Sequence, residues 1–173
     1  GTVLTEEILN RFPYAKVIVY DNLMYKQDGL FSFFKYPKDR FEFVYGDVRD
    51  KNSLLEQLQK LDKDNDYVIP LAAIVGFPAC ARDEKLATAV NFEHVKYIVQ
   101  STRCRIIYPN TNSGYGVSDG EAHCTEETPL APISVYGRTK CDAEEWVLGA
   151  GHTSLRLATV FGTSYRFRKD LLV

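Results

Sequence analysis

The sequence has little of what builds covalent or metal frameworks. Its four cysteines, Cys80, Cys104, Cys124 and Cys141, form no C-x-x-C pair and lack the density of a disulfide scaffold. Reduced thiols and a cytoplasmic location are expected. The three histidines, His94, His123 and His152, are scattered, and only His123 and Cys124 are neighbours, so no metal site is expected. No apolar run approaches the ~20 residues that cross a bilayer, and no charged segment followed by an apolar stretch marks a secretory signal. Neither sign of charge dominates: the formal net charge is -2, which gives no reason to expect nucleic acid or a membrane surface as a partner. Internal repeats and low-complexity segments are also missing. What remains is 45% hydrophobic and 25% charged over 173 residues, ordinary for a globular domain with a real core.

The pattern along the chain alternates helices and strands. Apolar residues at Val3, Leu4, Ile8 and Leu9 give a helical rhythm over 2–12, ended by Pro13. Residues 16–20 are a short β-branched run, closed by Asp21-Asn22. An aromatic, irregular stretch follows, with a short helix expected over 30–34. A second strand is expected over 41–45. Asp50 reads as the N-cap of a helix over 51–61. A third strand is expected over 67–73, a long helix over 83–100, a fourth strand over 105–108, a long polar loop over 109–133, a helix over 134–148 and a fifth strand over 153–157. Short, nearly continuous apolar strands alternating with helices are the pattern of a parallel sheet covered on both faces. The fold class is therefore α/β. A loop as long as 109–133 is usually functional when ordered.

Ser134-Val135-Tyr136-Gly137-Arg138-Thr139-Lys140 places a tyrosine and a lysine at i and i+4, on one face of a helix start. An ammonium beside a phenol favours the phenolate. A tyrosine whose unperturbed pKa is near ~10 needs a shift of roughly three units to work near neutral pH, about 4 kcal/mol of differential stabilisation. Other segments have two local readings each. Gly1 and Asp21, twenty positions apart, fit the last glycine of a pyrophosphate turn and its ribose-binding acid, or an arbitrary start and a turn residue. Asp47 is an acceptor for an adenine amino group or a loop aspartate before a helix. Leu71-Ala72-Ala73 lets a ligand approach the backbone or serves helix–sheet packing. Thr111 offers a hydroxyl to a substrate oxygen or belongs to a common Asn/Ser/Gly turn.

Taken in order, these segments resemble the cofactor-binding part of an extended short-chain dehydrogenase/reductase, of the NAD-dependent sugar-nucleotide epimerase/dehydratase kind. Gly1 matches the final glycine of the family's glycine-rich turn. Asp21-Asn22-Leu23 resembles its ribose-binding segment, Gly46-Asp47-Val48 its adenine-contacting segment, and Leu71-Ala72-Ala73 the strand end along the cofactor. Asn91 falls at an asparagine of the central helix. Thr111 falls at the active-site Ser/Thr before a Tyr-Gly pair, here Tyr115-Gly116, and Tyr136 and Lys140 match the catalytic Tyr-x-x-x-Lys. Leu155-Arg156 through Phe161-Gly162 resembles the segment that follows.

The resemblance implies a doubly wound, Rossmann-like parallel sheet over residues 1–162, with 163–173 starting a hinge to a substrate domain. It also implies a first, central strand before Gly1, so the sequence is expected to be part of a longer protein. NAD is the implied cofactor, preferred over NADP because the Asp21 carboxylate repels a 2′-phosphate. Tyr136, Lys140 and Thr111 are the implied catalytic residues, acting on a nucleotide sugar. A homodimer built on the helices from Asp83 and Ser134 is implied as well. Asn112-Ser113 stand where the 4,6-dehydratase branch carries Asp-Glu, and Thr159 stands where many epimerases carry asparagine. The expected activity is therefore epimerisation. The alternatives are a dehydrogenase that releases NADH, or a dinucleotide-binding module without catalysis.

Overall fold

Every strand pairing in the computed structural model is parallel. The structure describes residues 1–26, 29–117, 123–160 and 162. Phe161 and the expected hinge over 163–173 lie outside the described residues. The chain divides into two compact units, one containing Gly1–Asp47 and the other Val48–Thr159.

In the first unit, α1 (Thr2–Arg11) is followed by β1 (Val17–Asp21), a 3-10 turn (Gly29–Lys35) and β2 (Phe41–Tyr45). β1 and β2 pair in register from Val17↔Phe41 to Asp21↔Tyr45. Their inward side chains meet α1 and the 3-10 turn in a core of Leu9, Leu30, Phe33 and Phe41. Arg40 closes this unit. Its guanidinium donates to the carbonyls of Leu9 (2.8 Å), Phe12 (3.1 Å) and Ala15 (2.8 Å), which include the α1 carbonyls left without helical partners.

The second unit holds α2 (Lys51–Leu58), β3 (Tyr67–Val68), α3 (Phe77–Arg82), α4 (Glu84–Thr88), α5 (His94–Ser101), β4 (Arg105–Thr111), α6 (Val135–Gly149) and β5 (Thr153–Leu157). The strand order is β3-β4-β5. Asp50 caps α2 as expected, accepting from the N–H groups of Asn52 and Ser53. Ser134 caps α6 in the same way through the N–H of Gly137 (3.0 Å). The core is built on Ile74, Cys80, Ala87, Val90 and Val135, with Val48 and Tyr136 packed against it. Among the described residues no helix is long and apolar enough to cross a membrane.

Four elements depart from the sequence pattern. β3 stops at Val68 instead of running to residue 73. Pro70 has no N–H for a ladder, and the backbone of Ile74 is bonded by the Asn91 side chain instead. The long helix expected over 83–100 is broken into α4, a π-helical turn (Ala89–Glu93) and α5. The π turn carries Asn91, and such turns recur at functional positions. α3, which the sequence pattern does not reveal, precedes them, with a proline in its first turn. β4 is longer than expected, because its pairing with β5 continues to Thr111↔Leu157. The region expected as a polar loop therefore begins as strand and then makes a 3-10 turn, Asn112–Tyr115.

Gly116 ends that turn at φ +77, where a Cβ would lie 2.4 Å from the carbonyl oxygen of Ala131. Both the backbone conformation and the space require glycine. Gly116→Ala is expected to lower stability by about 1–3 kcal/mol; urea denaturation reads this, and an unchanged midpoint contradicts it.

Candidate functional site

In the first unit, β1 delivers Asp21 and Asn22 to its carboxyl end, and β2 delivers Asp47. Asp21 Oδ1 accepts from the N–H of Leu23 (2.6 Å), and Asn22 Oδ1 accepts from the N–H of Met24 (3.0 Å). These bonds hold a tight turn in which Leu23 takes φ +54. Asn22 Nδ2 donates to Asp47 Oδ2 (3.0 Å), so the two strand ends are tied together. Burial lowers the pKa of the Gly1 ammonium, and the Asp21 carboxylate acts on it in the opposite direction. Gly46 is required beside them: a Cβ there would fall 2.3 Å from the Tyr20 ring, whose hydroxyl donates to Asp47 O (3.0 Å). Gly1 precedes α1 without a side-chain cap, so the first-turn N–H groups are uncapped.

In the second unit, Leu71, Ala72 and Ala73 form the extended run after β3, Leu71 exposed and both alanines half-buried. Asn91 fixes where this run ends. It is 1% exposed. Its Oδ1 accepts from Ile74 N–H (2.8 Å), and its Nδ2 donates to Ile74 O (3.0 Å) and Thr139 Oγ1 (3.3 Å). Thr139 in turn donates to the carbonyls of Val135 and Tyr136. Asn91 thus joins the segment expected along the cofactor to the turn of α6 that carries Tyr136 and Lys140. Its amide is spent within the protein, which makes it a positioning residue in this arrangement.

Lys140 is 5% exposed. Its Nζ donates to Pro109 O (2.6 Å) and lies 4.0 Å from the centroid of the Tyr108 ring. Both residues belong to β4, two and three positions before Thr111. Thr111 Oγ1 accepts from the N–H of Ser113 and donates to Ser113 Oγ (3.1 Å). The turn so formed abuts Gly137, where a Cβ would lie 3.0 Å from Ser113 O. Thr111, Tyr136 and Lys140 are therefore held by one junction between β4 and α6.

Burial lowers the Lys140 pKa to about 7, with Glu144 and Cys141 acting in the opposite direction. Tyr108 is fully buried, and burial, then Tyr136, Glu144 and Cys141, push its phenol far above the usual range. Tyr108 therefore stays neutral, whereas Tyr136 is half-buried.

The NAD dependent epimerase/dehydratase family model matches residues 1–171. The chain belongs to this family. Solved structures with the same Rossmann-like fold include a dTDP-glucose 4,6-dehydratase from Bacillus anthracis in complex with NAD (TM-score 0.72, 21% identity, 87% of this chain and 46% of that one). A UDP-glucuronic acid 4-epimerase from Bacillus cereus in complex with NAD matches with TM-score 0.79 and 23% identity, over 94% of this chain and 54% of that one. A UDP-Glc/GlcNAc 4-epimerase from Campylobacter jejuni matches with TM-score 0.74 and 22% identity, over 87% and 49%. The chain spans about half the length of these structures.

Local sequence pattern does not show how the loop after Thr111 is held. Arg156 holds it. Its Nε pairs with the carboxylate of Glu144 (3.0 Å), which is buried and also accepts from Ser154 Oγ (2.6 Å). Its Nη1 donates to Tyr115 OH (3.2 Å) and Glu126 O (3.0 Å). Tyr115 OH donates onward to Thr125 O (3.0 Å). One guanidinium thus ties the Tyr115-Gly116 turn and residues 125–126 to α6, one turn beyond Lys140. The sequence signal is there: Ser154 and Arg156 alternate on one face of a strand, which brings both to one acid.

Two outcomes test this junction. Arg156→Met leaves Glu144 buried without its cation and is expected to cost about 3–5 kcal/mol; denaturant unfolding reads it, and a loss below ~1 kcal/mol contradicts the role given to the Arg156–Glu144 pair. Lys140 is expected to titrate near pH 7 by NMR of its side chain. The folded state then binds fewer protons than the unfolded one between about 7 and 10.5, so this group makes stability rise with pH across that window and fall as pH drops through it. A midpoint above 10 contradicts the burial argument.

Proposed function

We propose that Thr111, Tyr136 and Lys140 are the catalytic group of an NAD-dependent epimerase whose substrate is a nucleotide sugar. The observation that carries this reading is the Lys140 ammonium, buried against the strand that ends in Thr111 and one turn from Tyr136 on the same helix. The residues present fit the dinucleotide. The Asp21 carboxylate would accept from a ribose hydroxyl, and no arginine follows it before Arg40, which favours NAD. Asp47 and Val48 would contact the adenine, and the small side chains of Ala72 and Ala73 would allow close backbone approach.

Bound NAD+ supplies the acceptor for hydride from the sugar carbon. Tyr136 takes the hydroxyl proton from the same centre and returns it when the carbonyl is reduced on its other face. Lys140 has donors beyond the one given to Pro109, for a ribose hydroxyl and the phenolate. Thr111 holds the reacting oxygen in line. Water loss has no support in the residues after Thr111, because Asn112 and Ser113 carry no carboxylate and Ser113 is bonded to Thr111. The nucleotide-sugar substrate is consistent with the UDP-glucuronic acid and NAD complex of the B. cereus epimerase.

Tyr136→Phe is expected to lower turnover at least ~100-fold while leaving NAD affinity nearly unchanged, as read by epimer formation and by cofactor titration. Unchanged turnover ends the proposal. Steady accumulation of free NADH in the wild-type protein would favour a dehydrogenase instead.

A further inference from the structure

We propose that Tyr108 is a positioning residue for this reaction, its ring face forming the seat that keeps the Lys140 ammonium in register with Tyr136. The proposal rests on the reading of Lys140 given above. Three observations carry it. The Tyr108 ring is fully buried and lies 4.0 Å from Nζ, within the range of an effective cation–π contact. Lys140 Nζ also donates to the Pro109 carbonyl at 2.6 Å, from the neighbouring residue of the same strand. The Tyr108 hydroxyl makes no hydrogen bond among the described residues, so no polar partner explains the orientation of this side chain.

The ionisable groups around the ammonium are few. On α6 they are Tyr136, Cys141 and Glu144, and on β4 Tyr108 itself. Glu144 is engaged by Arg156 and Ser154 from β5. The α4–π segment contributes Asn91 and Thr139 contributes a hydroxyl, both neutral and bonded to each other. Neutralising a lysine here would remove the field that the phenolate needs, whereas an aromatic face favours the charged form without adding a counter-ion that would compete for it. A carboxylate in the same place would hold the ammonium as a closed ion pair.

The test is a graded weakening of the ring's negative face with its shape kept. Phenylalanine, 4-fluorophenylalanine and 3,4,5-trifluorophenylalanine are placed at position 108, and the Lys140 side chain is titrated by NMR in lysine-labelled protein, its signal assigned by Lys140→Met. Tyr108→Phe is expected to titrate as the wild type does, because the hydroxyl has no partner. The fluorinated series is expected to lower the midpoint stepwise, by about half a pH unit or more at the trifluoro ring. Tyr108→Leu is expected to lower it by about one unit or more. These side chains preserve the fold, which circular dichroism checks, so a flat series overturns the seat, as does a Phe variant shifted as far as Leu. The pH dependence of turnover in the same variants separates this inference from the one beneath it. If the midpoint moves and the turnover profile moves with it, both stand. If the midpoint moves and the profile does not, the seat exists and the catalytic assignment of Lys140 falls.

Discussion

The ammonium group of Lys140 occupies a place that water barely reaches, and the carbonyl of Pro109 is what it holds instead. An unpaired ion moved out of water loses several kcal/mol of hydration, so every element near it is constrained to compensate. β4 must present a carbonyl and an aromatic face at the right height. α6 must begin early enough for its second turn to meet them, which Ser134 ensures by capping the helix at Gly137. Gly137 must lack a side chain so that the turn after Thr111 can close against it. The positions of Thr111 and Tyr136 are consequences of seating one charge.

That junction is braced on two sides. Asn91 clamps the backbone at Ile74 and reaches Thr139, so the end of the run from Leu71 is tied to the start of α6. Arg156 clamps Glu144, Tyr115 and Glu126, so the loop after Thr111 is anchored to the far side of the same helix. Both fix the geometry around Tyr136 and Thr111, the proposed catalytic residues, the kind of support a preorganised site needs.

Much of this was legible from local pattern. The strands over residues 41–45 and 153–157, and the cap Asp50, follow from β-branched or aromatic runs and from a side-chain oxygen at a helix start. The ordered motifs carried the family and the Tyr136–Lys140 pair. What local pattern did not carry was long-range competition for backbone groups. Residues 69–73 look like strand, but Pro70 gives no N–H, and Asn91, seventeen positions beyond Ile74, takes the backbone of Ile74 just after them. The same asparagine sits in a π turn that helical periodicity does not register. The roles of Arg156 and Tyr108 were hidden for a related reason: each depends on what faces it from α6, and alternation along a strand names a face without naming its partner.

The central claim is that one sugar centre gives its hydroxyl proton to Tyr136 and its carbon-bound hydrogen, as hydride, to NAD+, and that the same hydride returns to that carbon on its other face while the proton returns to oxygen. A nucleotide sugar deuterated at the carbon to be inverted tests this most directly, with the isotope followed by mass spectrometry in substrate, epimer, cofactor and water. The account predicts that both epimers retain the deuterium and that no label enters solvent or free NADH. Loss of the label to water would mean inversion by carbon deprotonation, and its accumulation in released NADH would mean net oxidation; either result contradicts the account.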